Sequence, residues 1–204
     1  MEEEATTMDF SLLTDAIASK SYDKIADMCD NLMLQVSAEG VNFQNDWPYA
    51  VHLLGHIYVG DINSARFVWK SMPLAIKENQ PEVIAVCVIG QRLWTRDYAG
   101  VYEAIRSFDW SPQIQPIVAA FSDNYTKKMF QLLVAGYSTI SVQDTALFLG
   151  MTEDDVTKYV LVEGWCLDSA ARMFTVKKQS VTTEQKLDPS KLQRLTEYVF
   201  HLEH

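Results

Sequence analysis

Over the first 135 positions apolar residues recur at three- and four-residue intervals while glycine and proline stay scarce, the pattern of amphipathic helices. Three stretches repeat that pattern. "SYDKIADMC" begins at Ser21, "DINSARFVW" at Asp61 and "DYAGVYEAI" at Asp97, start points 40 and 36 residues apart. In each, one apolar residue is followed by others at +3 and +7: Tyr22, Ile25, Cys29; Ile62, Ala65, Trp69; Tyr98, Val101, Ile105. That period belongs to helix-pair repeats, in which each pair buries its stripe on the next. Pro48, Pro81, Pro112 and Pro189 stand where helices like to begin, near polar or capping residues such as Asp188.

The texture changes after Tyr137. "STISV" is short and β-branched, "QDTALFLG" predicts a short helix and "TEDDVTKYVLVEG" a longer one, with Gly150 and Gly164 as their stops. "WCLDSAARMFTVKK" predicts two short strands around a turn, with Met173 and Thr175 on one face and Phe174 and Val176 on the other. Strand, helix, helix, hairpin is the order of a winged helix. The expected fold is therefore mainly α: stacked antiparallel helical repeats, then a winged-helix subdomain, then a C-terminal helix. The expected divisions are an acidic tail at 1–9, repeats at 10–136, the winged helix at 137–178, a polar linker at 179–188 and a last helix at 189–204.

In that last helix Leu192, Leu195, Val199 and Leu202 recur at spacings of 3, 4 and 3, the pattern of a helix packed along a seam. Tyr198 and Phe200 widen the stripe. A lone helix this short is marginal in water, and the polar linker lets it swing away from its own winged helix. Leu192, Leu195, Tyr198, Val199 and Leu202 are accordingly the expected partner interface.

Charge narrows what the winged helix can do. The 204 residues carry 17 Lys and Arg against 27 Asp and Glu, a formal net charge of −10. Helix–turn–helix proteins present the leading residues of their second helix to base edges. Here that helix opens on Glu153, Asp154 and Asp155, and only Lys158 offsets these and Glu163 between Met151 and Glu163. Thr152 and Asp155 have capping-box spacing, and carboxylates suit a helix start by about 0.3–1 kcal/mol each. Arg172, Lys177 and Lys178 on the wing oppose this balance without reversing it. Phosphate neutralisation dominates nucleic-acid affinity, so the motif reads as an assembly surface with no nucleic-acid partner.

Candidate chemistry is sparse. His52 and His56 in "HLLGH" share a helix face at zinc-pair spacing, but Leu53 occupies the position of the general base in His-Glu-x-x-His, and no third ligand is near in sequence. Two histidines hydrogen-bonded at a packing interface are the expectation. Neither a Gly-x-Ser-x-Gly elbow nor a glycine-rich phosphate loop occurs. The five tryptophans, at 47, 69, 94, 110 and 165, read as core anchors. Cys29, Cys87 and Cys166 are odd in number and far apart, which suits free thiols in a reducing compartment. The acidic start "MEEEATTMDF" is unlike a secretory signal, and "VIAVCVIG" at 83–90 is too short to span a bilayer. No enzyme activity, cofactor, metal, membrane or small-molecule substrate is expected; the cytoplasm and nucleus are.

Helical repeats leading into a winged helix and a terminal helix resemble the PCI-domain family, which serves the proteasome lid, the COP9 signalosome and a translation initiation factor. "SYDKIADMCDNLMLQV", "NDWPYAVHLLGHIYV", "SARFVWKSMP", "LWTRDYAGVYEAI", "AFSDNYTKKMFQLL", "ALFLGMTEDDV" and "KLQRLTEYVFHLEH" are similar to the signalosome branch of that family in its land-plant form. The similarity runs from about Phe10 to His204. It implies a non-catalytic subunit whose terminal helix joins those of sister subunits in a bundle. It also implies a complex that removes a ubiquitin-like modifier from cullins at a metalloprotease on another subunit, and that in plants represses light-regulated development. Membership of the proteasome-lid or initiation-factor branches, or a nucleic-acid-binding winged helix, are the alternatives.

Overall fold

The structure is a computed structural model that describes residues 10–38, 47–178 and 189–203. The first region comprises α1 (Ser11–Ala18), a 3-10 turn (Tyr22–Lys24), α2 (Ile25–Ala38), α3 (Tyr49–Val59), α4 (Ile62–Ser71), α5 (Leu74–Asn79), α6 (Pro81–Trp94), α7 (Tyr98–Arg106) and α8 (Gln115–Gly136). It is followed by β1 (Thr139–Ser141), α9 (Val142–Leu149), α10 (Glu153–Val162), β2 (Cys166–Asp168) and β3 (Met173–Thr175), and finally α11 (Pro189–Glu203). The expected tail at 1–9 and linker at 179–188 lie outside the described residues.

Short polar side chains set the helix starts. Asp61, Asp97, Ser141 and Thr152 each accept a hydrogen bond from a backbone N–H three residues on, at Ser64, Gly100, Asp144 and Asp155. Each occupies one of the donors that the first helical turn leaves without a partner. Pro48, Pro81 and Pro189 flank or open α3, α6 and α11. Pro112 does not: the chain turns at 111–114, where Gln115 N–H bonds the Ser111 carbonyl at 2.9 Å, and α8 begins at Gln115 with Pro116 in its first turn.

The repeat stripes face inward. Tyr22, Ile25, Cys29, Ala65 and Val101 are buried, and Ile62, Trp69, Tyr98 and Ile105 pack half-buried against them. At the centre lies α3, buried continuously from Val51 to Ile57, with α2, α4 and α6 around it. A helix enclosed on every side is apolar all round, which is why "YAVHLLGHIYV" shows so weak a polar face.

The winged helix builds on a three-stranded antiparallel sheet in the order β1-β3-β2, with Ile140 and Leu167 both opposite Phe174. Phe174 and Val176 turn inward while Thr175 is exposed, the alternation read from the sequence. Aromatic rings carry this core into the repeats. Phe130 on α8 stacks on Trp165 at 5.3 Å and meets Tyr159 edge-on, and Trp165 meets the Phe174 ring. From α7, Tyr102 packs on Tyr125 at 5.3 Å and Arg106 Nη1 donates to the Gly150 carbonyl at 2.8 Å. Repeats and winged helix thus share one hydrophobic core.

Gly150 is the point of closest approach. Its φ is +63°, and a Cβ there would lie 2.3 Å from Cγ of Tyr102. Gly60 has a φ of +88° with nothing within 4 Å of the corresponding position. Gly60→Ala should therefore cost only the left-handed penalty, about 1–2 kcal/mol. Gly150→Ala adds a clash with a buried ring and should cost about 2–4 kcal/mol in urea denaturation. Equal losses at the two sites would show that Tyr102 yields freely.

Candidate assembly surfaces and a buried histidine clasp

His52 and His56 are both buried, and a third ionisable group meets them. Asp30, twenty-two residues before His52 on α2, brings Oδ1 to 2.8 Å from His52 Nε2 and 3.3 Å from His56 Nε2. The two Nε2 atoms are 3.1 Å apart. This corrects the reading that no third ligand is near: sequence distance hid a group that helix packing supplies. The mutual separations suit one face of a tetrahedral zinc site, whose ligand edges are about 3.3 Å for bonds of about 2.0–2.1 Å.

Protonation bears on that use. The indole Nε1–H of Trp47 donates to His52 Nδ1 at 3.1 Å, so neutral His52 carries its proton on Nε2 and gives it to Asp30. A zinc-bound His52 would need the opposite tautomer, with a second N–H aimed at an acceptor. Here that N–H would face the N–H of Trp47. In this tautomer the donors match a metal in spacing and not in protons, and they form a hydrogen-bonded clasp joining α2, α3 and Trp47. Leu53, at the position of a general base, is buried and has no proton to exchange.

The second helix of the winged helix, α10, shows how its acidity is accommodated. Thr152 Oγ1 accepts from Asp155 N–H and donates to the Asp155 carboxylate at 2.7 Å. Arg172, from the turn between β2 and β3, pairs with Glu153. The wing cation is thereby engaged with the helix start. At its other end α10 exposes Leu161 and Val162, the latter 87% accessible. The paired charges and the apolar tip thus stand at opposite ends of α10.

In α11 the side chains of Tyr198, Val199 and Phe200 are exposed. Those of Leu192, Leu195 and Leu202, the other members of the expected seam, lie outside the described residues.

Helical repeats joined to a winged helix through a shared core define a PCI-type protein, a class whose members act as parts of larger assemblies. Residues 44–185 match the CSN8/PSMD8/EIF3K family, and the chain belongs to that family. It is 65% identical to the COP9 signalosome complex subunit 8 of Arabidopsis thaliana over 197 residues, 97% of this chain and 100% of that relative. The protein of the same name from Danio rerio is 32% identical over 88% of this chain and 96% of its own length. The one from Dictyostelium discoideum is 23% identical over 96% of this chain and 98% of its own.

The clasp has a pH signature. Burial lowers the pKa of His52 below its usual 6.5, partly offset by the hydrogen bond to Asp30. The unfolded chain therefore takes up a proton that the folded chain refuses, so this contribution is intact above about pH 6.5 and shrinks as pH falls below it. Urea midpoints should drop between about pH 7 and pH 5.5, and His52→Gln should flatten that drop. An unchanged slope in the variant would mean that other groups carry it.

Proposed function

We propose that the chain is a non-catalytic structural subunit of the COP9 signalosome, held to its sister subunits through the winged helix and α11. The observation that supports this most is the match with signalosome relatives along nearly the whole chain. The geometry agrees with it: α10 ends in exposed Leu161 and Val162, and α11 presents Tyr198, Val199 and Phe200. Exposed apolar side chains on a helix, such as Tyr198 and Val199, are units of recognition between helices. The family resemblance supplies the wider activity, removal of a ubiquitin-like modifier from cullins, to which this chain contributes architecture in both cytoplasm and nucleus. In the plant setting of its Arabidopsis relative that contribution falls within the repression of light-regulated development.

Tyr198→Asp with Val199→Asp tests the helix. Both side chains are exposed, so the melting temperature of the isolated chain should stay nearly unchanged while co-purification with sister subunits is lost. If the variant unfolds, α11 belongs to the chain's own core; if it assembles normally, the seam is idle.

The same reading assigns no nucleic-acid partner to α10. Binding of duplex DNA or RNA near physiological salt should remain at weak, non-specific levels, with a Kd of about 10⁻⁶ M or higher. Submicromolar affinity that collapses as salt rises would replace the assembly surface with a nucleic-acid one.

A further inference from the structure

On the repeats, lined by no residue of the winged helix, α4 and α6 pack side by side over α3 and leave an open cleft of about 320 Å³ between them. Leu53 and Ile57 form its floor, Ile62, Ala65 and Trp69 one wall, and Cys87, Gly90 and Trp94 the other. Trp94 is half-exposed at the rim, and Phe67 on α4 is 73% accessible. Indole rings left at a cleft mouth are the large, rigid anchors on which protein interfaces concentrate their energy.

The electrostatics of this face differ from those of the whole. In a chain of net charge −10, α4 carries Arg66 and Lys70 and no carboxylate. The Arg66 guanidinium lies 3.8 Å from the centre of the Trp94 ring, and Lys77 Nζ lies 5.3 Å from that of Trp69. Neither cation, nor Lys70, pairs with a carboxylate among the described residues. The nearby acids are committed elsewhere: Asp61 caps α4, Asp97 holds Arg92, and Glu82 accepts from Ser111 N–H. Glu78 is the one carboxylate in α4 and α5 without such a role.

We propose that this cleft receives an acidic amphipathic helix of a partner subunit, its apolar residues between Trp69 and Trp94 and its carboxylates along Arg66 and Lys70. The walls are themselves helices, so no free strand edge is offered for an extended peptide, and a third helix completes the layer by groove packing. Arg66 and Lys77, stacked on rings, are already held in place for incoming carboxylates, which lowers the ordering cost of pairing. The inference rests on the assembly role proposed above and adds a third surface to it.

Cys87 makes the occupant measurable. It lines the cleft, Cys29 is fully buried, and Cys166 is exposed on β2. In a full-length Cys166→Ser chain, alkylation of Cys87 by iodoacetamide can be followed by mass spectrometry, free and within the reconstituted signalosome. The expected result is labelling in the free chain and about tenfold slower labelling in the complex. Arg66→Glu with Lys70→Glu should restore labelling in the complex while leaving the free chain's melting temperature unchanged. Equal labelling rates in the free and assembled wild-type surface overturn the inference even where the chain incorporates normally, which leaves the assembly role standing. Protection already present in the free chain also overturns it: relief on deleting residues 1–9 would make the acidic start the occupant, and relief on dilution a second copy. Failure of the unaltered chain to enter the complex would instead count against the assembly role itself.

Discussion

Neither half of this molecule can bury its own apolar surface, and helix α8 resolves the problem for both. Its 22 residues place Phe121, Tyr125, Met129 and Leu133 on one buried stripe. Phe130, offset from that stripe, reaches Trp165 and Tyr159 of the winged helix. A three-stranded sheet with three-residue strands is too small to stand alone. Helix pairs that end without a neighbour leave a face wet. By running through both regions, α8 turns two incomplete cores into one, and Tyr102 over Gly150 locks the second contact between them. The winged helix is therefore oriented by the repeats.

Much of this was legible in the chain. The strand–helix–helix–hairpin order after Tyr137 and the inward Phe174 and Val176 follow from period-two and period-four patterning. The capping role of Thr152 follows from its capping-box spacing with Asp155. Other features were illegible for physical reasons. Pro112 resembles a helix start, but Ser111 closes a turn on Gln115 and Pro116 takes the position instead. α1 and α5 are short helices that lean on their neighbours, and their own sequences carry little period. Asp30 joins His52 and His56 only because α2 crosses α3. Such a convergence leaves no local trace, whereas the histidine pair itself does.

The clasp illustrates why donor spacing alone misleads. Two histidines and a carboxylate within 3.3 Å of one another satisfy a distance criterion for metal binding. One further hydrogen bond, from Trp47, fixes where the proton sits and with it the chemistry. Buried polar groups must be partnered, and here the partners form a continuous chain of indole, imidazole and carboxylate. Asp30 stands at the solvent edge of that chain, so the network is anchored in the core and open at one end.

The pairing of Arg172 with Glu153 has a consequence for how the winged helix meets other proteins. Opposite charges side by side cancel at distances beyond a few ångströms, and physiological salt screens what is left. The pair itself therefore casts almost no field into solution, and the charge that the start of α10 projects is that of Asp154 and Asp155, with Lys158 Nζ 3.9 Å from the latter. Under the assembly role proposed above, this pair adds little long-range attraction, and the lifetime of the complex is set by how well the surfaces close. Under that same proposal, such a pair suits a subunit built into its complex once and kept there, rather than exchanged.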